Sequence, residues 1–211
     1  MIAMKKVLLG LVIIFILSAA TCFAAPFNKL EPGQTAIGLT YWGGEDDQYT
    51  TITGEDYTLG GGYLEHRFDN MTLGFEILGR SDTGITYVSG LGWYSLEEKL
   101  RLSDFYLHYH LSDKFRLLLG RHSFEDKLSD NYGNSAKLSD NKVYVGASYS
   151  VPLSDSIDAY AALTTASIQV GANVNLSDSV VANLFYRTFD WDDQGVDSTV
   201  SGFGLGVAYK F

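Results

Sequence analysis

Gly202-Phe203-Gly204-Leu205-Gly206-Val207-Ala208-Tyr209-Lys210-Phe211 ends the chain, and its reading decides the fold. Successive side chains of a β-strand point to opposite sides, so Phe203, Leu205, Val207, Tyr209 and Phe211 share one face. Gly202, Gly204, Gly206, Ala208 and Lys210 share the other. One face is bulky and apolar, the other small or polar. The contrast recurs upstream, with Ile168, Val170, Ala172, Val174 and Leu176 set against Ser167, Gln169, Gly171, Asn173 and Asn175. Val143, Val145, Ala147, Tyr149 and Val151 likewise alternate with Tyr144, Gly146, Ser148 and Ser150. A soluble barrel would bury the bulky face, whereas a membrane barrel turns it to lipid and lines its lumen with the small polar one. Alternation is common to both.

Turns set the topology. Leu111-Ser112-Asp113-Lys114-Phe115, Leu153-Ser154-Asp155-Ser156-Ile157 and Leu176-Ser177-Asp178-Ser179-Val180 repeat one pattern, and Asp69-Asn70 supplies a tighter turn. Ser and Asp favour turns through local side-chain-to-backbone hydrogen bonds. A three-residue connection pairs the flanking apolar residues and so keeps both bulky faces on one side. Connections on the other side read as longer, acidic loops: 44–55, 81–99, 123–141 and 191–197. Strands are expected near 34–43, 56–68, 71–81, 99–111, 115–123, 142–151, 157–163, 167–176, 180–190 and 199–211, ten in all. If no turn forms near Thr164-Thr165, the count falls to eight.

The N-terminus supplies the compartment. Lys5 and Lys6 precede an apolar run from Val7 to Ala20, and small residues then flank Phe23. This is the layout of a secretory signal peptide, giving a leader of residues 1–24 and a mature domain of 25–211. The run is shorter than the roughly 20 residues of a spanning helix. Lipidation would make Cys22 the first mature residue, for which Thr21 is a poor neighbour. Cys22 is the only cysteine, so the mature chain would have no disulfide. Of 15 basic residues the leader takes two, leaving 13 against 25 acidic ones, a net charge near −12 that excludes nucleic-acid partners. The 14% aromatic content, with 22 glycines and 3 prolines, suits many strands.

Phe203, Leu205, Val207, Tyr209 and the terminal Phe211 together resemble the C-terminal assembly signal of bacterial outer-membrane barrels. The last strand matches closely and the rest by pattern, similar to the porin-like or OmpA/OmpX-type class without one family. The resemblance implies an all-β fold: a closed antiparallel transmembrane barrel with short periplasmic turns and longer extracellular loops. It also implies export to the outer membrane of a Gram-negative envelope. Partners would be periplasmic chaperones, the barrel-assembly machinery, and finally outer-membrane lipid and lipopolysaccharide.

The lumen face should carry Glu76, Arg80, His108, His110, Arg116, Asp158, Arg187 and Lys210 as a polar network. His108 and His110 have a metal-chelating spacing with Asp104 on the same face, but hydrogen bonds to Arg116 or Tyr106 suit them better. His122 and Ser123 invite comparison with outer-membrane lipid A deacylases. In that family the two residues lie one position apart and share a face; adjacent residues point apart. Aromatic girdles are expected at Tyr41, Trp42, Tyr57, Trp93, Tyr94, Tyr186 and Trp191 on the loop side, and at Tyr109, Phe115, Tyr149, Tyr209 and Phe211 on the turn side. Asp190, Asp192, Asp193 and Asp197, and Glu45, Asp46, Asp47, Glu55 and Asp56, read as solvated acidic loops, because a calcium loop would need a closing Glu. No cofactor or catalytic residue is assigned. The first functional reading is a structural or surface-interaction barrel. A narrow channel comes second, then a lipid A-modifying enzyme, then a soluble ligand-binding barrel.

N-terminal sequencing of protein extracted from membranes is expected to begin at Ala25; a start at Met1 or Met4 would overturn the leader.

Overall fold

The computed structural model describes residues 27–46, 57–88, 92–193 and 196–211; the leader lies outside them. Ten strands follow in chain order: β1 (Thr35–Asp46), β2 (Tyr57–Arg67), β3 (Met71–Val88), β4 (Gly92–His110), β5 (Phe115–Asp130), β6 (Ser135–Pro152), β7 (Ile157–Thr164), β8 (Ser167–Asn175), β9 (Val180–Asp193) and β10 (Val196–Lys210). Each pairs antiparallel with its neighbours, and β10 returns to β1 to close a barrel. Ile37 faces Tyr209, Leu39 faces Val207 and Tyr41 faces Leu205 across that seam. Phe211 extends the ladder by donating its N–H to Thr35 O at 2.9 Å and accepting from Thr35 N at 2.8 Å.

The three Ser-Asp turns are built alike. Leu111 and Ser112 N–H groups both donate to Phe115 O, and the pattern repeats at Ile157 and Val180. The serine Oγ holds each turn from within, as where Ser112 Oγ accepts from Phe115 N at 3.0 Å and Ser177 Oγ from Val180 N at 3.1 Å. Thr164 Oγ1 does the same between β7 and β8, accepting from Ser167 N at 2.8 Å. That hydroxyl secures the turn on which a count of ten rather than eight depends.

Outward side chains form an apolar belt: Ile37, Leu39, Leu64, Phe75, Leu117, Val145, Leu163, Val170, Leu184, Leu205 and Val207 are all exposed. The belt ends at the cross-strand row Phe75–Phe105–Arg121–Val143. The next outward row, Ile77–Ser103–Ser123–Asn141, is already mostly polar. β7 and β8, with 8 and 9 residues, stop near this boundary, while β3 to β6 run for 16 to 19 and continue beyond it.

This corrects the loops expected at 81–99, 123–141 and 191–197. Apart from the turn at 131–134, their described residues are paired strand, with Val88 opposite Gly92, Ser129 opposite Ser135 and Asp193 opposite Val196. The reason is a change of phase. Within the belt β4 turns Phe105, Leu107 and Tyr109 outward; above it Leu100 and Leu102 turn inward, and Lys99 and Arg101 face water. Bulk stays on one parity only while lipid lies outside. β5 shows the same change between Leu117 and Leu119 outward and Phe124 inward.

The aromatic expectation holds in part. Tyr109, Tyr149, Tyr209 and Phe211 are exposed on the turn side and Tyr41 on the loop side. Trp42, next to Tyr41, must point the opposite way, and it is buried in the lumen. Trp93 is exposed far above the belt, opposite Tyr87 near the hairpin tip, so it is not interfacial. The side chains of Tyr57, Tyr94 and Trp191 lie outside the described ones.

Val207 lies midway along the belt, so Val207→Arg is expected to destabilise the barrel by roughly 2–4 kcal/mol in urea-driven unfolding from bilayers, against about 0–1 for Ser201→Arg on the same face above the belt. Equal losses would show that the belt is misplaced.

Candidate functional site: the lumen

Inward-facing residues meet in three layers. At the turn-side mouth the segment before β1 folds back into the barrel, and Phe27, Asn28 and Leu30 are buried. Asn28 Nδ2 donates to the Tyr63 hydroxyl at 2.9 Å and to Glu65 Oε2 at 2.8 Å. Asn173 Nδ2 donates to Phe27 O at 2.6 Å, and Asn183 Nδ2 to Asn173 Oδ1 at 2.6 Å. The Phe27 ring stacks on His108 at 5.1 Å, and His108 stacks in turn on Tyr106 at 4.7 Å. Tyr106 donates its hydroxyl to Glu65 Oε1 at 2.8 Å, so both oxygens of this buried carboxylate accept a hydrogen bond. Leu30 O accepts from Arg67. The Phe27 ring also packs on Tyr160 at 5.1 Å, so the segment is tied to β2, β4, β7, β8 and, through Asn183, β9.

The middle layer is ionic. Arg187 Nη1 lies 3.4 Å from Glu76 Oε2, and Arg187 Nε donates to Gln169 Oε1 at 2.9 Å. Gln169 Nε2 donates to the Tyr160 hydroxyl at 2.9 Å. The guanidinium also lies 4.9 Å from the centre of the Phe185 ring. Tyr144 donates to Asp104 Oδ1 at 3.1 Å, and Asp104 stands opposite His122. A buried charge is tolerated only where it is paired and hydrogen-bonded, and Glu76 and Arg187 meet that condition in each other.

The loop-side layer is largely apolar: Trp42, Leu59, Leu78, Leu100, Leu102, Phe124 and Val200 are buried in one cluster. On the β6 side Asp140, opposite Phe124, and Lys142, opposite His122, bring polar side chains to the same level.

Glycine makes room for the rings. Gly38 faces Tyr63, Gly74 faces Tyr106, Gly120 faces Tyr144, Gly171 faces Tyr160 and Gly204 faces Phe185 in direct register. A Cβ on Gly74 would fall 2.1 Å from the Tyr106 ring, and one on Gly120 2.4 Å from that of Tyr144.

Of the expected network, Glu76 and Arg187 pair. His108 and His110 face inward as expected but bond neither Arg116 nor Tyr106. His108 is stacked between two rings, and the His110 Nε2 lies 2.9 Å from Thr72 Oγ1. Arg116 and Asp158 line a cavity of about 200 Å³ at the turn-side mouth, with Phe27, Lys29, Lys114 and Asn173. Arg80 is bonded to Asp82 two residues along its own strand. Lys210 reaches Asn175 Oδ1 at 3.4 Å on a wider, open cavity of about 450 Å³. Glu65, Tyr63 and Gln169 were not expected, although all sit on the small-face parity of their strands. Asn28 precedes every strand and has no periodic signal.

His122 and Ser123 part as their adjacency requires: the histidine is buried inward, and the serine donates outward to Asn141 Oδ1 at 3.0 Å. Asp190 Oδ1 accepts from Thr199 at 2.9 Å. The side chains of Glu45, Asp46, Asp47, Glu55, Asp56, Asp192, Asp193 and Asp197 lie outside the described ones. The five side chains of the proposed assembly signal, Phe203 to Phe211, all project outward.

Such a barrel, closed and antiparallel with an apolar outer belt and a filled lumen, has the fold of the small bacterial outer-membrane β-barrels. Solved structures of that class share the fold. The attachment invasion locus protein Ail of Yersinia pestis, in complex with the heparin analogue sucrose octasulfate, matches with TM-score 0.50 and 17% identity, covering 86% of this chain and 100% of that one. The outer membrane protease OmpT of Escherichia coli matches with TM-score 0.52 and 11% identity, covering 89% and 99%. No family model and no curated protein matches the sequence.

Gly74→Ala is expected to push Tyr106 off Glu65 and cost about 1–3 kcal/mol in unfolding free energy. Gly60→Ala, with open space around its Cβ, should be near neutral. Equal effects would show that the glycine does not seat the ring.

Proposed function

We propose that this protein is a non-conducting barrel with a structural and surface-interaction role in the outer membrane. One observation carries the reading: the lumen is occupied from both ends, by Phe27–Leu30 on the turn side and by the Trp42–Leu59–Leu78–Phe124 layer on the loop side. A ten-stranded barrel has little spare interior, whereas wide aqueous channels need about 16–18 strands. A narrow channel would need the packing of Trp42, Leu59, Leu78 and Phe124 to open. A hydrolytic role is disfavoured by the separation of His122 from Ser123 and by the burial of Glu65, Asp104 and His108. What the fold offers instead is outside: β3 to β6 carry a paired sheet well above the belt, on the side of the acidic loops. Its outward side chains are mostly polar, with Ile85 and Trp93 exposed near the β3–β4 tip, and they meet whatever lies at the surface.

Planar-bilayer recordings of the refolded protein are expected to show small conductance or none, and the Tyr132→Cys variant should be labelled on intact cells by a membrane-impermeant maleimide. Stable openings as large as those of a trimeric porin would end the structural reading, and labelling only after cell lysis would end the surface one.

A further inference from the structure

Basic residues are gathered on one outward face of a chain whose net charge is −10. Above the belt Lys99 stands opposite Lys127, and Lys127 opposite Lys137, all three exposed. Side chains directly opposite on one face have Cβ atoms roughly 5 Å apart, and like charges there repel. One outward row nearer the membrane, Arg101 faces Glu125, and Arg121 lies in the row that ends the belt. Two carboxylates share the face: Glu97 binds Lys99 at 2.8 Å and Glu125 binds Lys137 at 2.7 Å. Lys127 and Arg101 have no ion-pair partner among the described residues. Five cations against two carboxylates leave this face positive, with its strongest repulsion in the lysine row.

The height of the row points to the occupant. Lys99 is six residues beyond Phe105, roughly 20 Å along the strand, or about 14 Å above the hydrocarbon at a tilt of about 45°. A lysine side chain reaches down by about half of that height, and Arg101 and Arg121 fill the interval to the boundary. A column of cations descending to the edge of the lipid matches an anion anchored in the outer leaflet better than one free in solution. Charge complementarity asks for several phosphates on one headgroup.

We infer that the outward face of β4 to β6 binds the phosphorylated sugar headgroup of an outer-leaflet glycolipid. Arg121 and Arg101 hold the phosphates nearest the acyl chains, and Lys99, Lys127 and Lys137 hold those above. The bound anion relieves the repulsion within the lysine row. The inference rests on the outer-membrane placement and names a ligand for the surface role.

The test uses the full mature chain refolded in phosphatidylcholine bilayers, titrated with bisphosphorylated lipid A, with the same glycolipid dephosphorylated, and with soluble dextran sulfate. Arg101→Gln/Lys99→Gln/Lys127→Gln/Lys137→Gln is expected to weaken lipid A binding at least tenfold, and Lys127→Gln alone about threefold. Removing the phosphates should match the quadruple variant, while Lys29→Gln/Lys114→Gln at the opposite mouth should bind as the parent does. Unchanged binding by either ladder variant would overturn the site. Dextran sulfate binding to the ladder as tightly as lipid A would overturn the lipid and leave a soluble polyanion as the ligand. Heat-modifiable gel migration of each variant reads the folded barrel separately, so failure to insert counts against the membrane placement and loss of binding alone against the site.

Discussion

Hydrocarbon offers no hydrogen bond, so a strand that crosses it must pair on both edges, and an unpaired edge costs several kcal/mol per exposed group. Everything else in this molecule follows from that constraint. The β1–β10 seam carries it, with the ladder running from Asp46 and Val200 down to Ala36 and Lys210 and continued by Thr35 and Phe211. The short β7–β8 hairpin shows where the constraint lapses. Once the belt is crossed, β6 continues without β7 beside it, and Lys142 Nζ reaches across to Asp190 O at 3.2 Å. In water an open strand edge can be tolerated.

Closing the sheet creates an interior that must itself be filled. A lumen of this width is too narrow for bulk water and too wide to be filled by glycine and serine alone. The rings of Tyr63, Tyr106, Tyr144, Tyr160 and Phe185 fill it, each lying over a cross-strand glycine that leaves it space. The hydroxyls of Tyr106 and Tyr144 then reach the carboxylates of Glu65 and Asp104. Polar groups are thus placed where solvent is scarce, and the Phe27–Leu30 segment supplies donors and a stacking face that the barrel wall lacks. The tail is part of the core of this barrel.

The outside of the protein is divided by the same boundary. Below it, residues that face out are apolar because they meet lipid. Above it, the outward parity carries charge, and the apolar parity moves inside to form the Trp42–Phe124 layer. One strand such as β4 therefore has two amphipathic phases in succession, joined between Leu102 and Phe105.

That change of phase also explains what could be read in advance. The alternation at Phe203 to Phe211, the Ser-Asp turns and the parity of Glu76 and Arg187 are local properties, and they determined the strand order and the lumen face; the choice of ten strands over eight waited on the Thr164 turn that pairs β7 with β8. His122 and Ser123 had to part because strand neighbours always do. The outer halves of β3 to β6 read as loops in the sequence because a single-phase pattern stops where the solvent changes, although the pairing does not. Only the tertiary structure decided which inward residues meet. Strands close in register but distant in sequence brought Arg187 to Glu76, separated by 111 residues, and Asn28 to Glu65, separated by 37. Closure alone brings those groups together, since each strand fixes the side a residue faces and only the closed ring fixes what lies across from it.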